Sequence, residues 1–226
     1  ARGRPGDRST PSPARGALPA TPPATGPAAA LSSLVRTRRG TYPAGGLTDP
    51  ATMSSRFVHL HVHSEYSLAD STIRIPDLVK RCAELGQPSV AVTDRNNLFS
   101  LVKFYRAAEG AGLKPIAGAD VLVADGDAPA WLLTLLVRDH AGYLSLSRLL
   151  TRAWTQGHRH DGVVVRPDWL ADDARGLFAL AGRHSHAGQL LAGGREDLAG
   201  GALGDLQRVY GEHCFLELTR CGLDGE

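Results

Sequence analysis

Residues 57 to 70 read FVHLHVHSEYSLAD, with histidines at 59, 61 and 63 alternating with Val58, Leu60 and Val62. On a strand, residues two apart share a face. His61 and His63 therefore point one way, and the two valines and the leucine point the other way, toward covering helices. His59 shares the histidine face one step deeper. Two imidazoles at the C-terminal edge of a strand can bind one divalent ion such as zinc, manganese or iron. Asp70, in the loop that follows, can return a carboxylate to the same rim. The same alternation also suits the solvated face of a strand. His158/His160 and His184/His186 repeat the spacing in glycine-flanked segments that read as solvated.

Working outward, strand and helix signals alternate. Helix PDLVKRCAELG has Pro76 in its first turn and Gly86 at its end. SVAVT is a short β-branched strand, and NNLFSLVKFYRAAEGAG is a helix capped by Asn96 or Asn97. KPIAGADVLVA and WLLTLLV follow as strands. HAGYLSLSRLLTRAW is an amphipathic helix with Tyr143, Leu146, Leu149, Leu150 and Trp154 on one stripe. A loop, TQGHRHDG, leads to strand GLFALAG, a glycine-interrupted helical stretch from Gln189 to about Val209, and strand CFLELT. This pattern predicts a parallel sheet or barrel covered by helices, with chemistry where the strands end. Asp94 ends the second strand and Asp120 lies within the third. Carboxylates and imidazoles from several strand ends are what a multinuclear phosphoesterase requires. The chain stops just after its last strand, which reads as a domain cut short.

Composition sets the rest of the frame. Of the 226 residues, 42% are hydrophobic, enough for one domain with a substantial core. No apolar run reaches membrane-spanning length and no start reads as a signal peptide, so a cytoplasmic location is expected and no membrane partner. Cys82, Cys214 and Cys221 lack paired metal spacing and read as free thiols. Nine of the 14 prolines and seven arginines fall in residues 1–52. That segment is expected to be a disordered tail. It carries about +5 of charge, leaving about −3 for the rest of the +2 chain. Met53, the sole methionine, stands before the first ordered pattern. The tail is either an extended reading frame, the preferred reading, or a flexible basic arm for nucleic acid. The arm has few aromatics to stack on bases.

The stretch from FVHLHVHSEYSLAD through TDRNNL to KPIAGAD resembles the opening of the bacterial replicative C-family polymerases, the DNA polymerase III alpha subunits, in their PHP (polymerase and histidinol phosphatase) domain. The similarity runs from about Met53 to the end. It implies a distorted seven-stranded β/α barrel, truncated at its C-terminus, so that residues 53–226 form an incomplete PHP domain. The polymerase's own catalytic residues and their magnesium would lie beyond Glu226.

Carried over by position, the family's metal ligands are partly kept. His61 and His63 match the first pair, and Asp70 matches the acidic ligand after it. Asp120 stands where active members have glutamate. Asp94 remains, but Arg95 replaces a ligand histidine, Leu132 a second, and Arg183 a cysteine or histidine. A guanidinium has no lone pair to donate and stays charged. The resemblance therefore implies a degenerate site in which Arg95 and Arg183 form ion pairs with Asp70, Asp94 or Asp120 in place of metal bridges. Manganese, zinc or magnesium in the barrel is then in doubt. The barrel is expected to support the polymerase and to dock the proofreading exonuclease subunit, with Tyr105, Arg106 and the TQGHRHDG loop as candidate contacts. DNA and the sliding clamp would be met by later regions. The competing reading is an active PHP-type phosphoesterase or 3′–5′ exonuclease.

Overall fold

The computed structural model describes residues 57–160 and 162–219. The expected disordered tail, residues 1–52, and Cys221 lie outside the described residues. Residues 57–64 are extended and run parallel to the first strand. A 3-10 turn, Glu65–Asp70, leads into helix α1 (Ile75–Glu84), strand β1 (Ser89–Val92), helix α2 (Leu101–Gly110), β2 (Lys114–Val123) and β3 (Trp131–Val137). Helix α3 (His140–Gln156), a hairpin of β4 (His158–Arg159) and β5 (Gly162–Val163), and helix α4 (Pro167–Asp172) follow. The chain then forms β6 (Leu177–Ala181), α5 (His186–Ala192), α6 (Glu196–Tyr210) and β7 (Cys214–Leu216).

The main sheet has the order β1-β2-β3-β6-β7. It is mixed, which corrects the all-parallel expectation: β1–β2 and β6–β7 are parallel, whereas β3 is antiparallel to both β2 and β6. Only residues 124–130 join β2 to β3, and a parallel crossover needs a dozen residues or more.

Local chemistry explains where other boundaries moved. The expected strand at FVHLHV has one ladder bridge, His59 to Val90. Its Val62 N–H is taken by the Thr93 hydroxyl at 3.1 Å rather than by a carbonyl. Neither Asn96 nor Asn97 caps α2, whose N-cap is Ser100. Asn96 instead sits at φ 50° and ties strands together. Its amide donates to Val163 O and its carbonyl oxygen accepts from Leu122 N. The described residues of TQGHRHDG belong to the last turn of α3 and the β4–β5 hairpin rather than to an open loop. Helix α4 went unread because PDWLAD is too short to show a period.

The core follows the period of two along the strands. Ala119, Val121 and Val123 of β2, Leu133 and Leu135 of β3, and Leu177, Ala179 and Ala181 of β6 pack against Leu146, Leu149 and Leu150 of α3 and Leu206 and Tyr210 of α6. A second cluster joins Ile75, Val79 and Cys82 of α1 and Phe104 of α2 to Val90 and Val92. Each such large side chain stabilises the fold by ~1.5–3 kcal/mol. The alternate residues, including Asp120 of β2 and Leu132 and Thr134 of β3, are left on the inner face. That face is where the candidate site forms. Leu60 is an exception to the expected pattern: it is exposed, while Val62 does join the helix-side cluster.

Candidate metal centre

Asp120 occupies the middle of β2 and is fully buried. Thr134, directly opposite it in β3, donates its hydroxyl to Asp120 Oδ1 at 2.6 Å. That leaves Oδ2 free to meet His61 Nε2 at 2.7 Å and His63 Nε2 at 2.8 Å. One carboxylate is thus divided between a neutral donor below and two imidazoles above. On its other side, His61 Nδ1 lies 2.7 Å from Glu217 Oε1, just beyond β7. His61 flanks β1 and Glu217 follows β7, so the sheet curls until its two ends meet across this bond.

Burial works against charge on both main partners, yet their mutual bonds outweigh it. For His61, desolvation is exceeded by the bonds to Asp120 and Glu217, and its pKa is pushed up to about 10. For Asp120, desolvation is exceeded by the bonds from His61 and His63, which hold it well below the usual carboxylate range. Without an ion, the cluster is a proton-bridged carboxylate and imidazole network.

These residues open on a cleft of about 650 Å³ that is also lined by His59, Asp70, Arg183 and His184. Asp70 Oδ2 is 3.8 Å from His63 Nδ1 but 2.9 Å from Arg95 Nη2. Asp70 is therefore bound to a guanidinium rather than joined to the central three. Arg95 Nε is buried with no hydrogen-bond partner among the described residues.

Two expected ion pairs are not formed. Asp94 is 1% exposed and meets no guanidinium among the described residues. It accepts bonds from Ser64 N and from the hydroxyls of Ser64, Ser67 and Ser100, at 2.6–2.9 Å. The 3-10 turn folds over it and fills its coordination with neutral donors. Arg183 is exposed on the cleft rim and makes no ion pair among the described residues. Leu132 lines the cleft, adding an apolar wall where a ligand would be needed. Of the other histidine pairs, His158 bonds Trp154 O, His184 lines the cleft and His186 stacks on Trp131.

Thr134 and Glu217 were not foreseen. Each left a trace, as the lone polar residue of WLLTLLV and the lone acid of CFLELT. Neither trace names a partner.

His61, His63 and Asp120 offer ligand atoms that all lie within 4.8 Å of one another. Two imidazole nitrogens and one carboxylate oxygen suit a single divalent ion with an open position. Among the described residues no second such group occurs. The described residues thus form an α/β protein whose curled mixed sheet carries one three-donor cluster, a candidate metal-binding domain.

The chain belongs to the PHP domain family, whose profile matches residues 59–221. It is 57% identical over 188 residues to the DNA polymerase III subunit alpha of Xylella fastidiosa, covering 76% of this chain and 16% of that protein. Identity to the subunit of the same name is 42% in Pseudomonas aeruginosa (74% of this chain, 15% of that one) and 40% in Escherichia coli K12 (76% and 15%). The chain thus spans about one sixth of the length of these relatives. Among solved structures, an amidohydrolase from Chromobacterium violaceum aligns over 42% of this chain and 32% of its own, at 24% identity and a TM-score of 0.35. No helix among the described residues is long and apolar enough to cross a membrane.

Proposed function

We propose that this chain is the amino-terminal PHP portion of a replicative DNA polymerase III alpha subunit, and that its cleft no longer supports multinuclear hydrolysis. The observation that carries the second half is the Arg95–Asp70 pair at 2.9 Å. A cation with no lone pair stands where a ligand histidine is expected, and it engages the carboxylate a second ion would need. What remains, His61, His63 and Asp120, holds at most one ion. When bound, such an ion would acidify a water or polarise a phosphoryl oxygen. His61 and His63 would present Nε2 to it, while Thr134 keeps Asp120 Oδ2 turned toward the imidazoles.

In this reading the complete domain is a distorted seven-stranded barrel, closed by strands beyond those described. Its role is to support the polymerase in the cytoplasm and to dock the proofreading exonuclease subunit. DNA, the sliding clamp and magnesium are engaged by regions outside this chain. The high identity to the alpha subunits supports the first half.

The intact three-donor cluster favours the competing reading, an active PHP-type phosphoesterase or 3′–5′ exonuclease. Two experiments separate the readings. The coding sequence downstream of Glu226 should continue in frame to polymerase length, whereas an early stop favours the free-standing enzyme. Purified chain mixed with the exonuclease subunit should co-elute with chelator present, and failure to do so removes the docking role.

A further inference from the structure

Glu217 comes from the opposite end of the sheet, 156 positions beyond His61, yet its carboxylate meets the one ring nitrogen that faces away from Asp120. Its placement is built rather than incidental. Glu217 N donates to Ala181 O at 3.0 Å, which extends the β6–β7 ladder by one bond and fixes the backbone. Beside it, Gly182 leaves room for the side chain: a Cβ there would come within 2.5 Å of Glu217 Oε2. The Glu217 side chain is 17% exposed, and the bond to His61 is thus largely withdrawn from water.

An imidazole can serve a metal through either nitrogen, and which one does so is set by the partner of the other. We infer that Glu217 is the positioning residue of the three-donor centre: it holds His61 through Nδ1–H, so that Nε2 faces a divalent ion beside Asp120 and His63. The inference rests on the single-ion reading above for its ligand, but not for the state of the ring. Asp120 cannot perform this task, because it meets the same nitrogen that would bind the ion. The arrangement also couples the two ends of the sheet to the donor set.

The test uses the full chain and three variants, Glu217→Gln, Glu217→Ala and Gly182→Ala. Zinc and manganese affinities are measured by competition with a chelator, and His61 is observed by long-range proton–nitrogen NMR without metal. Glu217→Ala should weaken zinc binding by about 10- to 100-fold. Glu217→Gln, which still offers an oxygen to Nδ1–H, should lose clearly less. Gly182→Ala should shift affinity in the direction of the alanine variant. In the ion-free spectra, Glu217→Ala should lose the hydrogen-bonded Nδ1 proton of His61, whereas Glu217→Gln keeps it. If Glu217→Ala is unfolded, the other two variants decide the matter on the same readouts. If the unaltered chain takes up no ion, the single-ion reading fails and the NMR comparison alone decides the role of Glu217. Unchanged affinity, or an unchanged His61 Nδ1 signal in Glu217→Ala, overturns the inference.

Discussion

Arg95 Nη2 lies 2.9 Å from Asp70 Oδ2, the same oxygen that stands 3.8 Å from His63 Nδ1. A carboxylate with histidine on one side and a guanidinium on the other is already committed. To ligate a metal it must give up an ion pair and accept a second cation beside Arg95. Even a well-screened pair of unit charges at ~4 Å repels by about 1 kcal/mol, and the cost rises several-fold where the site is partly buried.

Replacing Arg95 should therefore reopen the site. Arg95→His combined with Arg183→Cys returns lone-pair donors to both positions and frees Asp70. Metal content of the double variant, measured on protein without a histidine tag, should exceed that of the unaltered chain by about one equivalent. Arg95→Ala alone should release Asp70 without adding a ligand and raise the count less.

Asp120 and Thr134 form the buried floor of the cluster. Thr134→Val should cost about 1.5–3 kcal/mol of unfolding free energy, as expected for a buried hydrogen bond to a charged group. Asp120→Asn should cost about 3–5 kcal/mol, because it leaves His61 and His63 facing a neutral amide in a buried setting. Urea denaturation with chelator present measures both.

Asp94 carries a different expectation. Its carboxylate collects three serine hydroxyls and a backbone N–H. Asp94→Ala strands several buried donors at about 1–3 kcal/mol each and should destabilise more than Ser64→Ala, Ser67→Ala or Ser100→Ala taken singly. The same denaturation series ranks them.

The pH dependence of the ion-free protein follows from the two shifted groups. His61 has a folded pKa raised from 6.5 to about 10, so its contribution is complete below about pH 6.5 and is lost as pH rises through about 10. Asp120 is shifted down from 3.8, so its contribution is present above that value and lost as pH falls. Stability should be greatest between about pH 4 and 6.5. It should decline on the alkaline side by at most about 1.4 kcal/mol per pH unit. The slope is softened because the His61 side chain is 30% exposed. Urea midpoints across pH with chelator test this, and Glu217→Gln should flatten the alkaline limb.

The periodic parts of the fold were legible in the sequence. KPIAGADVLVA and WLLTLLV were readable as strands, but in the second the split between helix-facing and inner residues was not, because Leu132 and Leu136 are as apolar as Leu133 and Leu135. Pro76 marks the start of α1, and the Leu146/Leu149/Leu150 stripe marks the buried face of α3. The His-x-His pair and Asp120 could be read because strand geometry fixes which residues share a face. Three features needed the three-dimensional structure. The direction of β3 depends on a connection too short for a crossover. Asp94 depends on serines from two separate segments. Glu217 depends on the sheet curling until its ends touch. Arg183 marks the limit of matching by position: it stands exposed on the cleft rim but pairs with no carboxylate among the described residues.

Loss of multinuclear hydrolysis is tested by counting tightly bound divalent metal on the untagged chain alongside release of 3′-terminal nucleotides from DNA. One equivalent or none is expected, with no release above background. Two or more equivalents of zinc or manganese together with nucleotide release would show that the Arg95–Asp70 pair yields to a working multinuclear centre, and would contradict that loss.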